Sequence, residues 1–234
     1  MKDSIWTRTR AAAPARETLT REQIVQAAME TLDTEGLAGL SMRKLAAKLG
    51  SGATSLYWHV PTKDDLIDLL IDETYGEVDV PEPELAGWRS GAMLFAHSLR
   101  AMILRHPWLP EVVYTRPSIG PNATSLGSRG LILFGAGGFS ERDVDFAMGS
   151  VMSFVFGTAN AEVAVKTSIK NSGQTTEEWV QDVLEQARVA TADDAMMQES
   201  LRRRSNRDLA TMHNEAFVFG LDCLLDGLEG RLKK

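Results

Sequence analysis

The sequence predicts an all-α protein, and three observations support this. Apolar residues recur at helical spacing in segments along the whole chain, and no segment of useful length alternates as a strand does. Near the N-terminus, two short helical patterns flank a glycine-containing turn. The chain has 234 residues, of which 44% are hydrophobic and 24% charged. This composition is ordinary for a soluble globular protein of one or two domains.

The segment Ser41–Lys63 predicts a helix-turn-helix. Ser41 is a good N-cap, because its hydroxyl can accept from a free amide of the first turn. Gly50 follows the last apolar position, where a left-handed residue ends a helix. A second short helix is expected over Ala53–His59, and its N-terminal residues would enter the DNA major groove. The first helix buries one face, formed by Met42, Leu45, Ala46 and Leu49.

Two further helices are predicted on either side of this unit. The first covers Leu19–Gly36, where Thr20 and Gln23 form a capping box and Gly36 ends the helix. The fourth covers Thr62–Tyr75 and is capped by Thr62. Its inward face is formed by Leu66, Leu69 and Leu70.

The rest of the chain predicts helices separated by breaks. Residues 78–84 contain two prolines and three acidic residues, which indicates a linker. Residues 108–122 are irregular, and residues 193–204 are interpreted as partly helical or mobile. The predicted helices cover residues 85–106, 123–135, 143–166, 177–189 and 207–232.

The helix-turn-helix resembles the DNA-binding domain of the tetracycline-repressor (TetR) family. The resemblance rests on LYWHV at Leu56–Val60, on Lys63 and on the preceding SMRKLAAKLG. It continues more weakly through Thr115-Arg116-Pro117, Gly138-Phe139-Ser140 and the C-terminal GLDCLLDGLEG. It implies a DNA-binding domain at residues 19–78 and a helical regulatory and dimerisation domain at 79–234. Residues 1–18, which are rich in Arg, Ala and Pro and lack periodicity, are interpreted as a disordered arm.

The residues themselves and the resemblance both point to DNA contacts on the second helix of the motif. Thr54, Ser55, Tyr57, Trp58 and His59 are expected to be exposed, although Tyr57 and Trp58 could instead be core aromatic residues. The resemblance implies that Tyr57 contacts bases and that Ser55, Trp58, His59 and Lys63 contact phosphates. It also implies that Arg43 reads a guanine. Ala53 and Thr54 depart from the residues of the tetracycline repressors, so the operator sequence should differ.

Charge is distributed unevenly along the chain. Residues 1–63 carry nine Lys/Arg and six Asp/Glu, a net charge of +3, whereas the remainder carries −10. The basic end therefore coincides with the helix-turn-helix, as expected of a DNA-binding domain. The N-terminal arm is interpreted as a disordered tail or, alternatively, as a minor-groove arm using Arg8, Arg10 and Arg16.

A small-molecule inducer is expected within the C-terminal helices, as the resemblance implies. An apolar or aromatic ligand is favoured by seven candidate lining residues, for each of which core packing is the alternative. A magnesium–tetracycline complex is not expected, because residues 112–114 replace the family's metal-binding histidine and His106 lies too far upstream. No metal or cofactor is predicted. The seven candidates are Phe95, Met102, Trp108, Tyr114, Phe134, Phe154 and Trp179.

The resemblance also implies a homodimer. Residues 143–166 and 207–232 resemble the two helices that form an intersubunit four-helix bundle in the family. Small residues on the first of these helices would permit close approach, although burial within one subunit is the alternative. Two recognition helices would then read a palindromic operator on double-stranded DNA. The small residues are Ala147, Ser150, Gly157 and Ala161.

Other classes of protein are less compatible with the sequence. The chain lacks the sequence motifs HExxH, G-x-S-x-G, the P-loop and a pre-helical G-x-G-x-x-G, so no catalytic residue is predicted. Its single cysteine, Cys223, suits a cytoplasmic protein, and no signal peptide or membrane span is expected. The sequence therefore predicts a dimeric repressor released by an inducer. A regulator without a ligand, an activator, and a helical enzyme or carrier remain alternatives.

Overall fold

The computed structural model describes residues 5–6, 19–205 and 207–232. Most of the predicted N-terminal arm, including its three arginines, therefore lies outside the described residues. Within these ranges the chain forms ten α-helices, a short 3-10 helix at Leu109–Glu111 and no β-strand, which confirms the all-α prediction. The α-helices are α1 (Arg21–Gly39), α2 (Met42–Lys48), α3 (Ala53–His59), α4 (Lys63–Gly76), α5 (Pro83–Arg105), α6 (Pro121–Gly135), α7 (Glu141–Ser172), α8 (Thr176–Ala190), α9 (Ala195–Arg204) and α10 (Leu209–Leu232).

Helix α1 begins at its predicted cap but runs past the predicted end at Gly36, as far as Gly39. The Thr20 hydroxyl accepts from the Gln23 amide at 3.2 Å, and the Gln23 side chain accepts from the Thr20 amide at 2.9 Å. Gly36 interrupts the helix with φ 68° and ψ −172°, a conformation that suits a residue without a Cβ. Ile24, Ala28 and Leu32 are almost completely buried, so this face of the helix belongs to the core.

Helices α2 and α3 form the predicted helix-turn-helix. The Ser41 hydroxyl accepts from the Lys44 amide at 3.2 Å and caps α2. Gly50 adopts φ 62° in the turn, as its position after the last apolar residue indicates. Leu56 of α3 and the following Val60 are fully buried, which fixes the face that α3 turns inward.

Helix α4 is followed by a segment that is packed rather than free. The predicted linker buries Val78 and Val80, which are 2% and 8% exposed. The amide of Asp79 donates to the Ser98 hydroxyl of α5 at 2.8 Å. Helix α5 begins earlier than predicted, and Gly87 breaks its first turn from the rest with φ 69°. The prolines and acidic residues thus mark a turn that is held against α5.

The chain divides into two compact units, residues 1–152 and 153–234. In the first unit α6 packs on both α4 and α5, and Phe95 meets Phe134 edge-to-face with ring centroids 6.4 Å apart. In the second unit Phe154 of α7 stacks at 5.6 Å on Phe217 of α10, where Leu221 and Leu225 are also buried. Residues 195–204 form a complete helix, α9, although the sequence left their state open.

A candidate DNA-binding surface and its connections

The outward face of α3 presents large aromatic side chains. Tyr57 is 47% exposed and Trp58 is 60% exposed, so neither is a core aromatic residue. Ala53 and Thr54 are also exposed, and Ser55 is half-buried. A folded protein has little reason to expose two adjacent aromatic rings unless they contact something. This face therefore has the exposure that a recognition helix requires.

His59 does not share that exposure. The sequence predicts it to be exposed with the residues before it, but it is 7% exposed. His59 lies three residues after Leu56, so helical spacing places both on the buried side of α3. Its backbone oxygen accepts from the Arg21 guanidinium of α1 at 3.4 Å. The expectation of an exposed ring at this position is wrong, while its predicted phosphate contact remains untested.

Cationic side chains are exposed on the helices before and after α3. Arg43 is exposed on α2, and Lys63 is exposed at the start of α4, where its Nζ donates to the Leu37 backbone oxygen at 3.4 Å. Lys44 is exposed beside Arg43 and was not singled out from the sequence. Its position directly after Arg43, on a short helix with one apolar face, could have identified it as a second exposed cation.

Helix α1 is hydrogen-bonded to both helices of the helix-turn-helix. Lys48, the last residue of α2, donates to the Ala27 backbone oxygen at 3.2 Å and to the Glu30 carboxylate at 3.0 Å. The hydrogen bond from Lys48 lowers the pKa of Glu30 below its ordinary value. With the bond from Arg21 to His59, these contacts attach both helices of the motif to α1.

Two acidic side chains attach α4 to the start of α6 and to the loop before it. The Asp72 carboxylate accepts from the backbone amides of Asn122 at 3.2 Å and Ala123 at 2.9 Å. These amides belong to the first turn of α6, which has no side-chain cap of its own. One turn earlier, Asp68 accepts from the Arg116 guanidinium at 2.9 Å. A shift of α6 would therefore act directly on α4.

A second connection joins α1 to the end of α5. The imidazole of His106 is 2.8 Å from Asp33 of α1 through Nδ1 and 2.9 Å from Glu77 through Nε2. The Trp108 indole also donates to Asp33, at 2.8 Å. His106 is 2% exposed. These partners of His106 could not be predicted from the sequence, because they lie 73 and 29 positions away.

The predicted ligand-binding residues have different surroundings. In the first unit, Phe95, Met102 and Phe134 are fully buried, and Trp108 is equally buried but bonded to Asp33. Tyr114 is 73% exposed. In the second unit, Phe154 and Trp179 are half-buried. The ligand-binding role of all seven remains a prediction.

The cavities described in the first unit lie elsewhere. A groove of about 1410 Å³ runs along α1 and α4 and is bordered by Met29, Asp33 and Leu69. A much smaller cavity, of about 10 Å³, lies between α4 and the loop at Arg116. None of the seven candidate residues lines either one.

The long helices α7 and α10 each expose a continuous row. On α7, Ser150, Gly157 and Ala161 are exposed, whereas Ala147 is 1% exposed. Burial inside the subunit, which the sequence left as the alternative, thus applies to Ala147 alone among the four small residues. The exposed row of α7 includes Phe146 and Ser153, and that of α10 includes Phe219, Cys223 and Gly227.

The described residues lack two further kinds of feature. They contain no group of three or more His, Cys, Asp or Glu side chains that could hold a metal ion. In the same ranges, no helix is both long enough and apolar enough to cross a membrane.

Two family models match the chain. Residues 24–70 match "Bacterial regulatory proteins, tetR family", and residues 80–232 match "Tetracyclin repressor-like, C-terminal domain". The first range contains the helix-turn-helix, and the second contains all helices from α5 to α10. Together the two ranges account for most of the chain.

Characterised relatives and solved structures agree with these matches. An HTH-type transcriptional regulator of Saccharopolyspora erythraea is 42% identical over 68% of this chain and 67% of its own length. The HTH-type transcriptional repressor DrrR1 of Streptomyces coeruleorubidus is 34% identical over 91% of this chain and 78% of its own length.

Among solved structures, ActR of Streptomyces coelicolor in complex with actinorhodin has a TM-score of 0.76 and 29% identity, covering 93% of this chain and 100% of that one. BioQ with its double-stranded DNA operator has a TM-score of 0.60 and 25% identity, covering 91% and 99%. The chain belongs to the tetR family and is a DNA-binding regulator of transcription, with an N-terminal helix-turn-helix and a tetracycline repressor-like C-terminal domain.

Proposed function

We propose that this protein is a homodimeric repressor that binds a palindromic operator and is released from it by a small molecule. The observation that carries the proposal is the exposure of Tyr57 and Trp58 on α3, while Leu56 anchors the opposite face. In a dimer, two such helices enter successive major grooves about one helical turn apart. The similarity to repressors, DrrR1 among them, supports repression rather than activation.

The proposed contacts divide into base reading and positioning. Arg43 donates two hydrogen bonds to a guanine, and Tyr57 contacts bases beside it. Ser55, Trp58, His59 and Lys63 position the helix on phosphates and carry no sequence information themselves. Ala53 offers only a methyl group, which can meet a thymine methyl, and Thr54 can bond to more than one base. The half-site is therefore proposed to differ from that of the tetracycline repressors.

The proposed inducer is apolar or aromatic. ActR, a similar protein, has been solved with actinorhodin, which supports a ligand role for the C-terminal helices. In the first unit, the candidate site comprises Phe95 and Phe134, whose rings meet edge-to-face, and Met102, two turns after Phe95 on α5. All three are buried in this conformation. A ligand that enters this site must stabilise an alternative conformation in which these side chains separate.

The proposed signal passes from α6 to α4. Because Asp72 and Asp68 of α4 hold the start of α6 and the preceding loop, an inducer that displaces α6 also moves α4. Helix α4 directly follows α3, so its movement changes the spacing of the two recognition helices. The inducer weakens operator binding by the ratio of its affinities for the two conformations.

The deciding experiment is selection of bound sequences from a random pool of double-stranded DNA at a stated salt concentration. We expect enrichment of a palindrome with half-sites about one helical turn apart. The variant Arg43→Ala provides a matched selection, in which discrimination should be lost at one position of each half-site. Salt-sensitive binding without any enriched sequence would contradict the proposal.

Three alternatives are separated by further measurements. A regulator without an inducer should show no increase in melting temperature with any small molecule, whereas a true inducer raises it by mass action. An activator should raise, rather than lower, transcription from a reporter that carries the selected operator. A helical enzyme or carrier with a borrowed N-terminal domain should not enrich a palindrome. Cytoplasmic localisation is proposed with the repressor function.

A further inference from the structure

His106 lies buried between two carboxylates that come from two other helices. It caps the C-terminus of α5, whereas Asp33 belongs to α1 and Glu77 caps the C-terminus of α4. The two carboxylates face opposite ring nitrogens, at 2.8 Å and 2.9 Å. The imidazole therefore bridges the ends of three helices within the first unit.

Hydrogen bonds to both carboxylates require a donor at each ring nitrogen. An ionised carboxylate only accepts hydrogen bonds, and a neutral imidazole has a single N–H to donate. An imidazolium donates at both nitrogens and satisfies both carboxylates. Arg105 also contacts Glu77, so the charges of His106 and Arg105 balance those of Asp33 and Glu77. A neutral ring would leave one carboxylate facing a lone pair.

The position of this cluster connects it to the DNA-binding surface. Helix α1 carries Asp33 near its C-terminal end, while Arg21 at its N-terminal end donates to the backbone of His59 in α3. Between these points Glu30 holds Lys48 of α2. Helix α1 is thus attached to the helix-turn-helix over its length and to the end of α5 through His106.

We propose that protonated His106 is a positioning residue for operator binding. It holds α1 and the end of α4 at a set spacing from α5, and through them it orients α3. This inference rests on the proposed function. The charged groups that face the ring are Asp33 and Glu77, with Arg105 beside Glu77, and the adjoining groove adds Glu30 and Glu73. Operator affinity should therefore decrease when the ring loses its proton.

The test compares operator affinity of the wild type and His106→Gln across pH, at constant salt, by fluorescence anisotropy. At low pH, where the ring is protonated, His106→Gln should bind roughly fivefold or more weakly. The difference should shrink as pH rises, because the wild type then loses the second hydrogen bond. All other side chains are the same in both proteins, so the ratio of the two affinities reports on position 106. His97→Gln is the matched control and should leave the profile unchanged.

Asp33→Asn provides a second variant that keeps an acceptor for His106 and Trp108 but removes the charge. It should also flatten the pH dependence of operator affinity. If His106→Gln does not fold, Asp33→Asn replaces it in the comparison with the wild type. Parallel profiles of wild type and folded variants would overturn the role of His106. Absence of any operator binding by the wild type would instead overturn the proposed function, so the two failures are distinguishable.

Discussion

Adjacent residues of α3 differ sharply in burial. Leu56 is fully buried and Tyr57 is 47% exposed, because successive helical positions are rotated by about 100°. Replacing the first removes part of the core, and replacing the second removes part of the surface proposed to face DNA. Stability and recognition can therefore be separated by single substitutions only one position apart.

We expect Tyr57→Ala to abolish specific operator binding while leaving the fold intact. Because the ring is half exposed, the free energy of unfolding should change by no more than about 1 kcal/mol. Fluorescence anisotropy with the selected operator and urea denaturation would measure the two effects.

Leu56→Ala serves as the comparison and should cost about 2–5 kcal/mol, because it leaves a cavity in the core. Loss of folding in Tyr57→Ala would contradict the prediction and would indicate that Tyr57 is a core aromatic residue.

Burial at the residue scale was only partly predictable. The sequence predicts which leucines of α1, α2 and α4 are buried, because their side chains are apolar and recur at helical spacing. It places His59 on the surface because the residue is polar, although helical spacing from Leu56 puts it on the buried face. For Trp108, an apolar environment is predictable, but its bond to Asp33 depends on a residue 75 positions away.

At the scale of elements, helix ends differ in the origin of their caps. Thr20, Ser41 and Thr62 cap α1, α2 and α4 from within three residues, and all three are visible in the sequence. Helix α6 begins at Gly120-Pro121, and Asp72 of α4 supplies its cap. A tertiary cap of this kind joins two elements as well as ending one.

Asp72→Ala should destabilise the protein and loosen α6 from α4. Because two amides of the first turn lose their acceptor in a buried site, we expect a cost of about 1–2 kcal/mol. Urea denaturation measures the cost, and hydrogen exchange at Asn122 and Ala123 locates it.

The control for this prediction is Glu73→Ala, which changes the exposed neighbour and should have almost no effect. Equal effects of the two substitutions would show that Asp72 contributes only its charge.

The N-terminus of α8 should weaken in acid. The backbone and hydroxyl hydrogen bonds from Thr175 lower the pKa of Glu178 below its ordinary value. A lowered pKa means that the stabilisation is present above the ordinary carboxyl range and is lost as pH falls through the folded pKa.

Helix α8 should therefore fray at low pH, as measured by NMR chemical shifts of residues 176–179. Glu178→Gln keeps an acceptor and should remove this pH dependence, whereas an unchanged acid response in that variant would assign it to another group.

At the scale of the whole molecule, the exposed rows of α7 and α10 indicate where a second subunit would bind. Phe219 is 73% exposed and Phe146 is 60% exposed, and a Cβ added at Gly157 would meet nothing within 4 Å. Small and aromatic residues on long helices permit close packing between subunits. Both rows lie on the helices that the sequence assigned to the dimer.

Phe219→Glu should convert the proposed dimer to a monomer and weaken operator binding, because one recognition helix then binds without its partner. Sedimentation velocity would measure the mass of the particle, and circular dichroism would confirm that the helices are retained. Leu85→Glu, at an apolar position that is 86% exposed outside these helices, should leave the dimer intact. A dimer that survives Phe219→Glu would place the interface elsewhere.

The sequence by itself determined the fold class, the helix-turn-helix, three of the caps and the exposed positions of α3 up to Trp58. These features depend on helical periodicity and on interactions within a few residues, which a single sequence displays directly. The tertiary structure alone decided that the residues after α4 are packed, that Asp72 caps α6 and that His106 lies between Asp33 and Glu77. Each of these depends on polar groups brought together over tens of residues, and only the complete packing of the chain brings such partners within hydrogen-bonding distance.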